Sequence, residues 1–182
     1  MTAGPRRLPG DPSAATLVER MIRVDQAGEY GAKRIYAGQL AVLGRSAAAP
    51  VIRRMAEQEE RHLAVFDALM GAHRVRPTLL SPLWHVAGYA LGAATALLGE
   101  RAAMACTVAV EEVIDEHYGR QSETLGESEP ELKAAIDSSR RDEREHRAIA
   151  LAQGAEAAPA YPALSTAIKA GSRLAIWLST RI

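Results

Sequence analysis

The amino-acid sequence predicts an all-α protein built around a four-helix bundle. Apolar residues recur at helical spacing along most of the 182-residue chain. Aromatic residues make up only 4% of the chain and alanine is abundant, a composition that favours helices over sheets. Two single glutamates also alternate with two Glu-x-x-His pairs, a pattern with which such bundles hold two metal ions; its members are Glu29, Glu59, His62, Glu111, Glu143 and His146.

The first two predicted helices span residues 16–43 and 51–70. Apolar residues recur there every three or four positions and form one face of each helix. The turn between the two helices contains Gly44 and Pro50, and Gly71 predicts the end of the second helix.

The next segment, residues 77–99, contains no Asp, Glu, Lys or Arg. A helix of this length would span a bilayer, but Pro82, Gly88 and Gly92 weaken that interpretation. We expect a long apolar crossover, which lets the second and third bundle helices run parallel, as in ferritin-like folds. An ordinary crossover helix buried in the protein is the alternative.

Three further helices are predicted at residues 100–125, 129–155 and 159–182. The first two complete the bundle, and the last is an additional amphipathic C-terminal helix. Residues 1–14 contain Gly, Pro and Arg without an apolar face, so we expect a flexible lead-in. Residues 15–182 then form a single ferritin-like domain, which is long enough to bury a substantial core.

Charge and cysteine content exclude several classes of function. Lys plus Arg and Asp plus Glu number 22 each, so the chain lacks the basic excess typical of nucleic-acid binders, and no nucleic acid is expected as a partner. Cys106 is the only cysteine, which excludes an intramolecular disulfide and a cysteine-based zinc site. A reducing cytoplasmic setting fits this composition.

Helical geometry predicts that the six Glu and His residues of the pattern face the interior. Residues three or four positions apart share a helix face. Glu111 shares the apolar face of its helix with Met104 and Ile114, whereas the neighbouring Glu112 lies on the solvent side. The other members of the pattern also lie on apolar faces: Glu29, Glu59, His62, Glu143 and His146.

Four carboxylates and two imidazoles would therefore meet in one interior. Unpaired buried carboxylates are costly, and no Lys or Arg lies near them on those faces. Two divalent cations would neutralise the carboxylates, and Glu-x-x-His places both of its ligands within reach of one ion. The ligand set suits iron and manganese alike. A bundle with a salt-bridged polar core is the alternative.

Metal-bound imidazoles usually donate their second ring N–H to an outer partner. Three aspartates lie one helical turn from ligand positions and are candidates for this role: Asp25, Asp115 and Asp142. Each would equally suit a surface ion pair, which is the interpretation we favour for Asp115.

Longer motifs surround the ligand positions and resemble those of one known family. Residues 23–32 read RVDQAGEYGA, residues 103–112 read AMACTVAVEE, and His117 and Tyr118 follow one to two turns later. Together with the DEREH run at residues 142–146, these motifs resemble the demethoxyubiquinone hydroxylases of ubiquinone biosynthesis. The resemblance extends from about Leu17 to the last residue.

The resemblance implies a ferritin-like di-iron monooxygenase. Its substrate would be a polyprenyl demethoxyubiquinone or its quinol, and one oxygen atom of dioxygen would enter a ring C–H bond. The family's ligands to the two iron ions correspond to the six residues of the pattern. His117 and Tyr118 correspond to a pair near the quinone and the electron route, which makes them candidate catalytic residues, and a buried tyrosine with a satisfied hydroxyl is the alternative.

A polyprenyl quinone resides in lipid, so the enzyme must reach a bilayer. Residues 77–99 are the expected docking surface, with Trp84 and Tyr89 as interfacial anchors. We expect peripheral attachment to the cytoplasmic face of a bacterial inner membrane. The resemblance also implies a lipid-binding accessory protein and an electron donor such as NADH, and an oligomer is compatible with the sequence.

Two other functions remain alternatives at this point. A ferritin-like or rubrerythrin-like protein would store iron or handle peroxide, but the chain lacks the cysteine pairs of a rubredoxin-type site. A non-catalytic helical bundle would need no metal at all.

Overall fold

The computed structural model describes residues 11–182, and α-helices dominate that part of the chain. Residues 1–10 of the predicted lead-in lie outside the described residues. Ala14, the last residue of that predicted segment, already belongs to the first helix. Six α-helices and one short 3₁₀ helix follow within the described range. They are α1 (Ala14–Leu43), α2 (Ala49–His73), α3 (Ser81–Leu97), α4 (Glu100–Leu125), α5 (Pro130–Ala152), the 3₁₀ helix (Ala155–Ala157) and α6 (Tyr161–Ser179).

The helix ends follow local chemistry. Ser13 caps α1, because its hydroxyl accepts a hydrogen bond from the backbone N–H of Thr16 at 3.0 Å. Arg74 ends α2 in the left-handed conformation, with φ of 54°. The fourth predicted helix was expected to reach residue 155, but α5 ends at Ala152, and Gly154 then takes a φ of 81° that helices do not allow.

The predicted four-helix bundle is confirmed and consists of α1, α2, α4 and α5. Lys33 of α1 pairs with Glu60 of α2, and Gln26, which lies earlier in α1, pairs with Asp67, which lies later in α2. These two helices are therefore antiparallel. The hydrogen bonds between α1 and α4, and those between α4 and α5, show that the helices of each of these pairs are antiparallel as well. Helices α2 and α4 are therefore parallel, as the predicted crossover requires.

The crossover is itself a helix, α3, that runs parallel to α1 along the outside of the bundle. Close approach of the two backbones is possible because α3 carries glycines at the contact. A Cβ atom on Gly92 would collide with the backbone carbonyl of Ile35, and one on Gly88 would meet the backbone of Gly31. The face of α3 that points away from α1 is exposed, so the crossover is only partly buried.

The additional C-terminal helix is α6, which packs against α4 and closes the structure beside α3. The indole N–H of Trp84 donates to the hydroxyl of Ser179 at 2.9 Å, and the Thr78 hydroxyl donates to the carbonyl of Ile182 at 2.6 Å. These bonds join the end of α6 to the start of α3. Among residues 11–182, no helix combines the length and the apolar character needed to cross a membrane.

Candidate metal centre

The structure brings all six residues of the Glu and Glu-x-x-His pattern together in the middle of the bundle. Helices α1 and α4 each contribute one glutamate, and α2 and α5 each contribute a Glu-x-x-His pair. None of the six is more than 7% exposed to solvent. The residues are Glu29, Glu59, His62, Glu111, Glu143 and His146.

The six side chains form two overlapping groups, each suited to one ion. One group consists of Glu29, Glu59, His62 and Glu143, and the other of Glu59, Glu111, Glu143 and His146. Within each group the potential ligand atoms lie within 4.8 Å of one another. Glu59 and Glu143 belong to both groups and therefore lie between the two candidate positions.

The polar atoms of this cluster fit bound cations. Within the described residues, both carboxylate oxygens of Glu59 lack a hydrogen bond, and so do Nδ1 of His62, Oε2 of Glu111 and Oε1 of Glu143. Buried polar atoms without partners are rare, because leaving one unsatisfied costs about 1–3 kcal/mol. Carboxylate oxygens and imidazole nitrogens at these positions are suitable ligands for iron or manganese.

The charges in the cluster shift one another's pKa values strongly. Burial raises the pKa of Glu59 and Glu111, and the neighbouring carboxylates raise it further. Burial alone would lower the pKa of His62, but the negative charges of Glu143 and Glu29, whose oxygens lie 3.3 Å and 3.5 Å from Nδ1, outweigh this and raise it to about 11. Protons therefore compensate part of the negative charge when no cation is present.

Two tyrosines hold the outer glutamates through reciprocal hydrogen bonds. Tyr36 of α1 donates to Oε1 of Glu111 on α4 at 3.0 Å, and Tyr118 of α4 donates to Oε1 of Glu29 on α1. Each tyrosine lies seven residues after the glutamate of its own helix. The two ends of the cluster are therefore built in the same way.

The imidazoles also have matching orientations but different outer partners. His62 and His146 both turn Nδ1 toward the carboxylates. Nε2 of His62 lies 2.9 Å from Oδ2 of Asp142, so this candidate outer partner contacts the histidine of the facing helix and not His146, beside which the sequence placed it. Nε2 of His146 lies 3.1 Å from the amide oxygen of Gln58, which sequence reasoning missed. A signal was present, because Gln58 precedes Glu59 as Asp142 precedes Glu143.

The candidate catalytic residues His117 and Tyr118 point to different partners. Tyr118 is buried at the cluster through its bond to Glu29. His117 lies 3.2 Å from Oδ1 of Asp25, which also accepts a hydrogen bond from the amide of Gln121 at 2.8 Å. Asp25 thus contacts His117 and not one of the two histidines of the cluster.

Asp115, the third candidate outer partner, is a surface ion pair. Its carboxylate lies 2.6 Å from Nε of Arg140 and 2.8 Å from Nε of Arg144. This arrangement agrees with the interpretation favoured from the sequence.

An apolar cavity of about 420 Å³ lies beside the cluster, between α1, α3, α4 and α6. Its walls include Ala32, Ile35 and Val110. The same three residues border a closed crevice beside Tyr36 and Glu111, which is too narrow to hold a water molecule. The cavity therefore approaches the candidate metal centre from the side of Glu111.

Comparison with known proteins gives consistent results. The family model described as ubiquinone biosynthesis protein COQ7 matches residues 16–179. A Rhodospirillum rubrum protein named 3-demethoxyubiquinol 3-hydroxylase is 66% identical over 177 residues, which cover 97% of this chain and 84% of the relative. A human protein named NADPH-dependent 3-demethoxyubiquinone 3-hydroxylase, mitochondrial, is 56% identical over 176 residues, covering 94% and 81% of the two chains. A 5-demethoxyubiquinone hydroxylase of Saccharomyces cerevisiae is 42% identical, covering 92% and 79%.

Proposed function

The chain belongs to the COQ7 family of ubiquinone biosynthesis proteins, and from this membership we propose that it hydroxylates the ring of a polyprenyl demethoxyubiquinol at a di-iron centre. Relatives that carry the hydroxylase name are 56% and 66% identical to it over more than nine tenths of its length. The observation that supports the di-iron assignment is the pair of buried, overlapping ligand groups with unsatisfied oxygen and nitrogen atoms.

Each of the six residues has a place in this proposal. Glu29 and His62 would hold one ion, Glu111 and His146 the other, and Glu59 and Glu143 would be shared between them. Iron bound there would supply the redox chemistry that activates dioxygen for insertion of one oxygen atom into a ring C–H bond. The other oxygen atom leaves as water, and a donor such as NADH or NADPH supplies the two electrons.

The protein's own residues prepare the site for this reaction. Tyr36 and Tyr118 fix the outer carboxylates through their hydroxyl groups. The apolar walls of the cavity exclude water and accommodate a quinol ring with the first part of its tail, and the wall that the cavity shares with the crevice at Glu111 places the ring beside the centre. His117, held by Asp25 next to Tyr118, is our candidate for the electron and proton route.

Residues 77–99 and α6 support a peripheral position at the cytoplasmic face of a bacterial inner membrane. Leu83, Val86 and Trp177 are 52%, 64% and 52% exposed, an unusual amount for large apolar side chains on neighbouring helices. The guanidinium of Arg181 stacks over the Trp177 ring at 4.2 Å, where a lipid phosphate is within its reach. A lipid-binding accessory protein or a second copy of the chain would compete for this same surface.

The test of the proposal is hydroxylation by the iron-loaded protein. The metal-free chain is loaded anaerobically with Fe(II) and then given a short-tailed demethoxyubiquinol, a reductant and ¹⁸O₂. We expect about two irons per chain and a product carrying one ¹⁸O atom, both lost in Glu111→Ala. Iron uptake without ring oxygenation would favour storage or peroxide handling, and a folded chain that takes up no metal would favour a non-catalytic bundle.

A further inference from the structure

The two candidate metal positions differ in one respect, the partner behind each imidazole. Their inner surroundings match: each has an outer glutamate held by a tyrosine, a histidine presenting Nδ1, and the two shared glutamates. The outer partners are also placed reciprocally. Asp142 of α5 contacts His62 of α2, and Gln58 of α2 contacts His146 of α5.

The chemical difference between these partners is one full negative charge. The carboxylate of Asp142 accepts the Nε2–H of His62 and makes Nδ1 a stronger donor to a cation. The amide oxygen of Gln58 accepts the Nε2–H of His146 without a charge, so it orients this imidazole but increases its basicity less. Solvent reaches Asp142, whose side chain is 39% exposed, which reduces the difference without removing it.

We infer that the two ions bind with unequal affinity, an inference that rests on the proposed function. The ion between Glu29 and His62 binds more tightly, because Asp142 supports His62. The weaker position lies between Glu111 and His146. This position also lies beside the apolar cavity, since the residues that border Tyr36 and Glu111 form part of the cavity wall. The ion nearest the substrate space is therefore the more readily exchanged of the two.

Metal titration tests this inference without measuring turnover. Metal-free protein is titrated anaerobically with Mn(II), and binding is followed by calorimetry and by electron paramagnetic resonance. We expect two steps at least tenfold apart in dissociation constant, an isolated Mn(II) signal after one equivalent and an exchange-coupled signal after two. His146→Ala should keep the tight step and lose the weak one, and His62→Ala should do the reverse.

The outer partners are tested by exchanging their charges. Substitutions of the groups that hydrogen-bond metal-bound imidazoles typically change metal affinity by about 10–100-fold, and the exposure of Asp142 favours the lower end for Asp142→Asn. We expect this variant to weaken the tight step and Gln58→Glu to strengthen the weak one. Glu145→Gln removes a charge from an exposed position of the same helix as Asp142 and should change neither step.

The outcomes separate the inference from the proposed function. Two ions with indistinguishable affinities, or loss of the tight step in His146→Ala, would overturn the inference and leave the di-metal centre in place. Unchanged steps in Asp142→Asn would equally overturn it. A wild-type chain that binds no Mn(II) and no Fe(II) would reject both. Circular dichroism of each metal-free variant confirms that it is folded.

Discussion

Glu111 illustrates how single residues of the centre are built for binding and not for stability. One of its oxygens accepts the Tyr36 hydroxyl, and the other has no hydrogen bond within the described residues. Burial and the neighbouring carboxylates raise its pKa. In the metal-free protein, this side chain therefore costs free energy that a bound cation would recover.

We predict that Glu111→Gln stabilises the metal-free protein against unfolding by about 1–3 kcal/mol, because the amide keeps the bond from Tyr36 and cannot ionise. The same change should abolish binding of one of the two ions. Urea unfolding after chelation, with and without Mn(II), measures both effects. The control is Glu112→Gln, which removes ion pairs to Arg147 and Lys169 and should destabilise slightly. Destabilisation of metal-free Glu111→Gln would contradict the prediction.

Asp115 predicts a dependence of stability on pH. Burial is the largest single effect on the pKa of Asp115 and raises it, but the hydrogen bonds and charges of Arg140 and Arg144 together outweigh burial and lower the pKa below its usual value of 3.8. Because the pKa of Asp115 is lower in the folded than in the unfolded state, its carboxylate stabilises the fold above pH 3.8. This stabilisation disappears as the pH falls through the folded-state pKa. Asp115→Asn should cost no more than about 1 kcal/mol at pH 7, because the pair is partly exposed. Denaturation at pH 7 and pH 3 should show a smaller difference between wild type and variant at pH 3 than at pH 7.

At the scale of elements, the contact between α1 and α3 depends on glycine. Gly88 and Gly92 let the two backbones touch, and the resulting position of α3 forms one wall of the apolar cavity. Any side chain at Gly92 must push the helices apart, because the atom it meets is a backbone carbonyl that cannot rotate away.

We predict that Gly92→Ala lowers the free energy of unfolding by about 1–3 kcal/mol through this collision. Gly71→Ala is the matched control, since nothing lies within 4 Å of a Cβ at that helical position. The control should be neutral or stabilising by up to about 1 kcal/mol, because alanine favours the helix. Equal effects of the two substitutions in thermal unfolding would show that α1 and α3 can separate without cost.

The exposed face of α3 gives a prediction about lipid. Leu83→Glu combined with Val86→Glu should abolish sedimentation with vesicles containing anionic lipid, because two charges would enter the apolar contact. Val65→Glu changes a valine on α2 that is 46% exposed, and this variant should leave sedimentation intact. If both variants sediment like the wild type, α3 does not contact the bilayer.

At the scale of the whole molecule, the centre connects all four helices of the bundle. A cation that binds only the folded state stabilises it by about 2.7 kcal/mol at a hundredfold excess over its dissociation constant.

We therefore predict that Fe(II) or Mn(II) raises the thermal midpoint by roughly 5–10 °C, since about 2–4 °C corresponds to 1 kcal/mol in a domain of this size. Chelation should reverse the shift, and Glu111→Ala should reduce it. A midpoint that does not respond to either metal would contradict a centre that spans the bundle.

Sequence reasoning succeeded where a feature is repeated along one helix. Helical periodicity placed Glu59 and His62 on one interior face, and the structure confirms that placement. It failed for Gln58, whose one signal is its place before Glu59, because a neutral amide is not recognisable as the partner of an imidazole until the facing helix is known. For the crossover, a buried helix was only the alternative to a membrane-docking segment, because Gly and Ala in α3 mark close backbone contact and weaken the helical pattern of large apolar residues.

The sharing of ligands between the two halves of the bundle has a consequence for how the chain folds. Each candidate position takes residues from both the α1–α2 hairpin and the α4–α5 hairpin, and Glu29 and Glu143 of one group are far apart in sequence. The hairpins are local structures that close quickly, whereas their docking requires contacts of long sequence separation. An ion bound at either candidate position would act as a cross-link between the two hairpins, so metal acquisition would be coupled to assembly of the bundle.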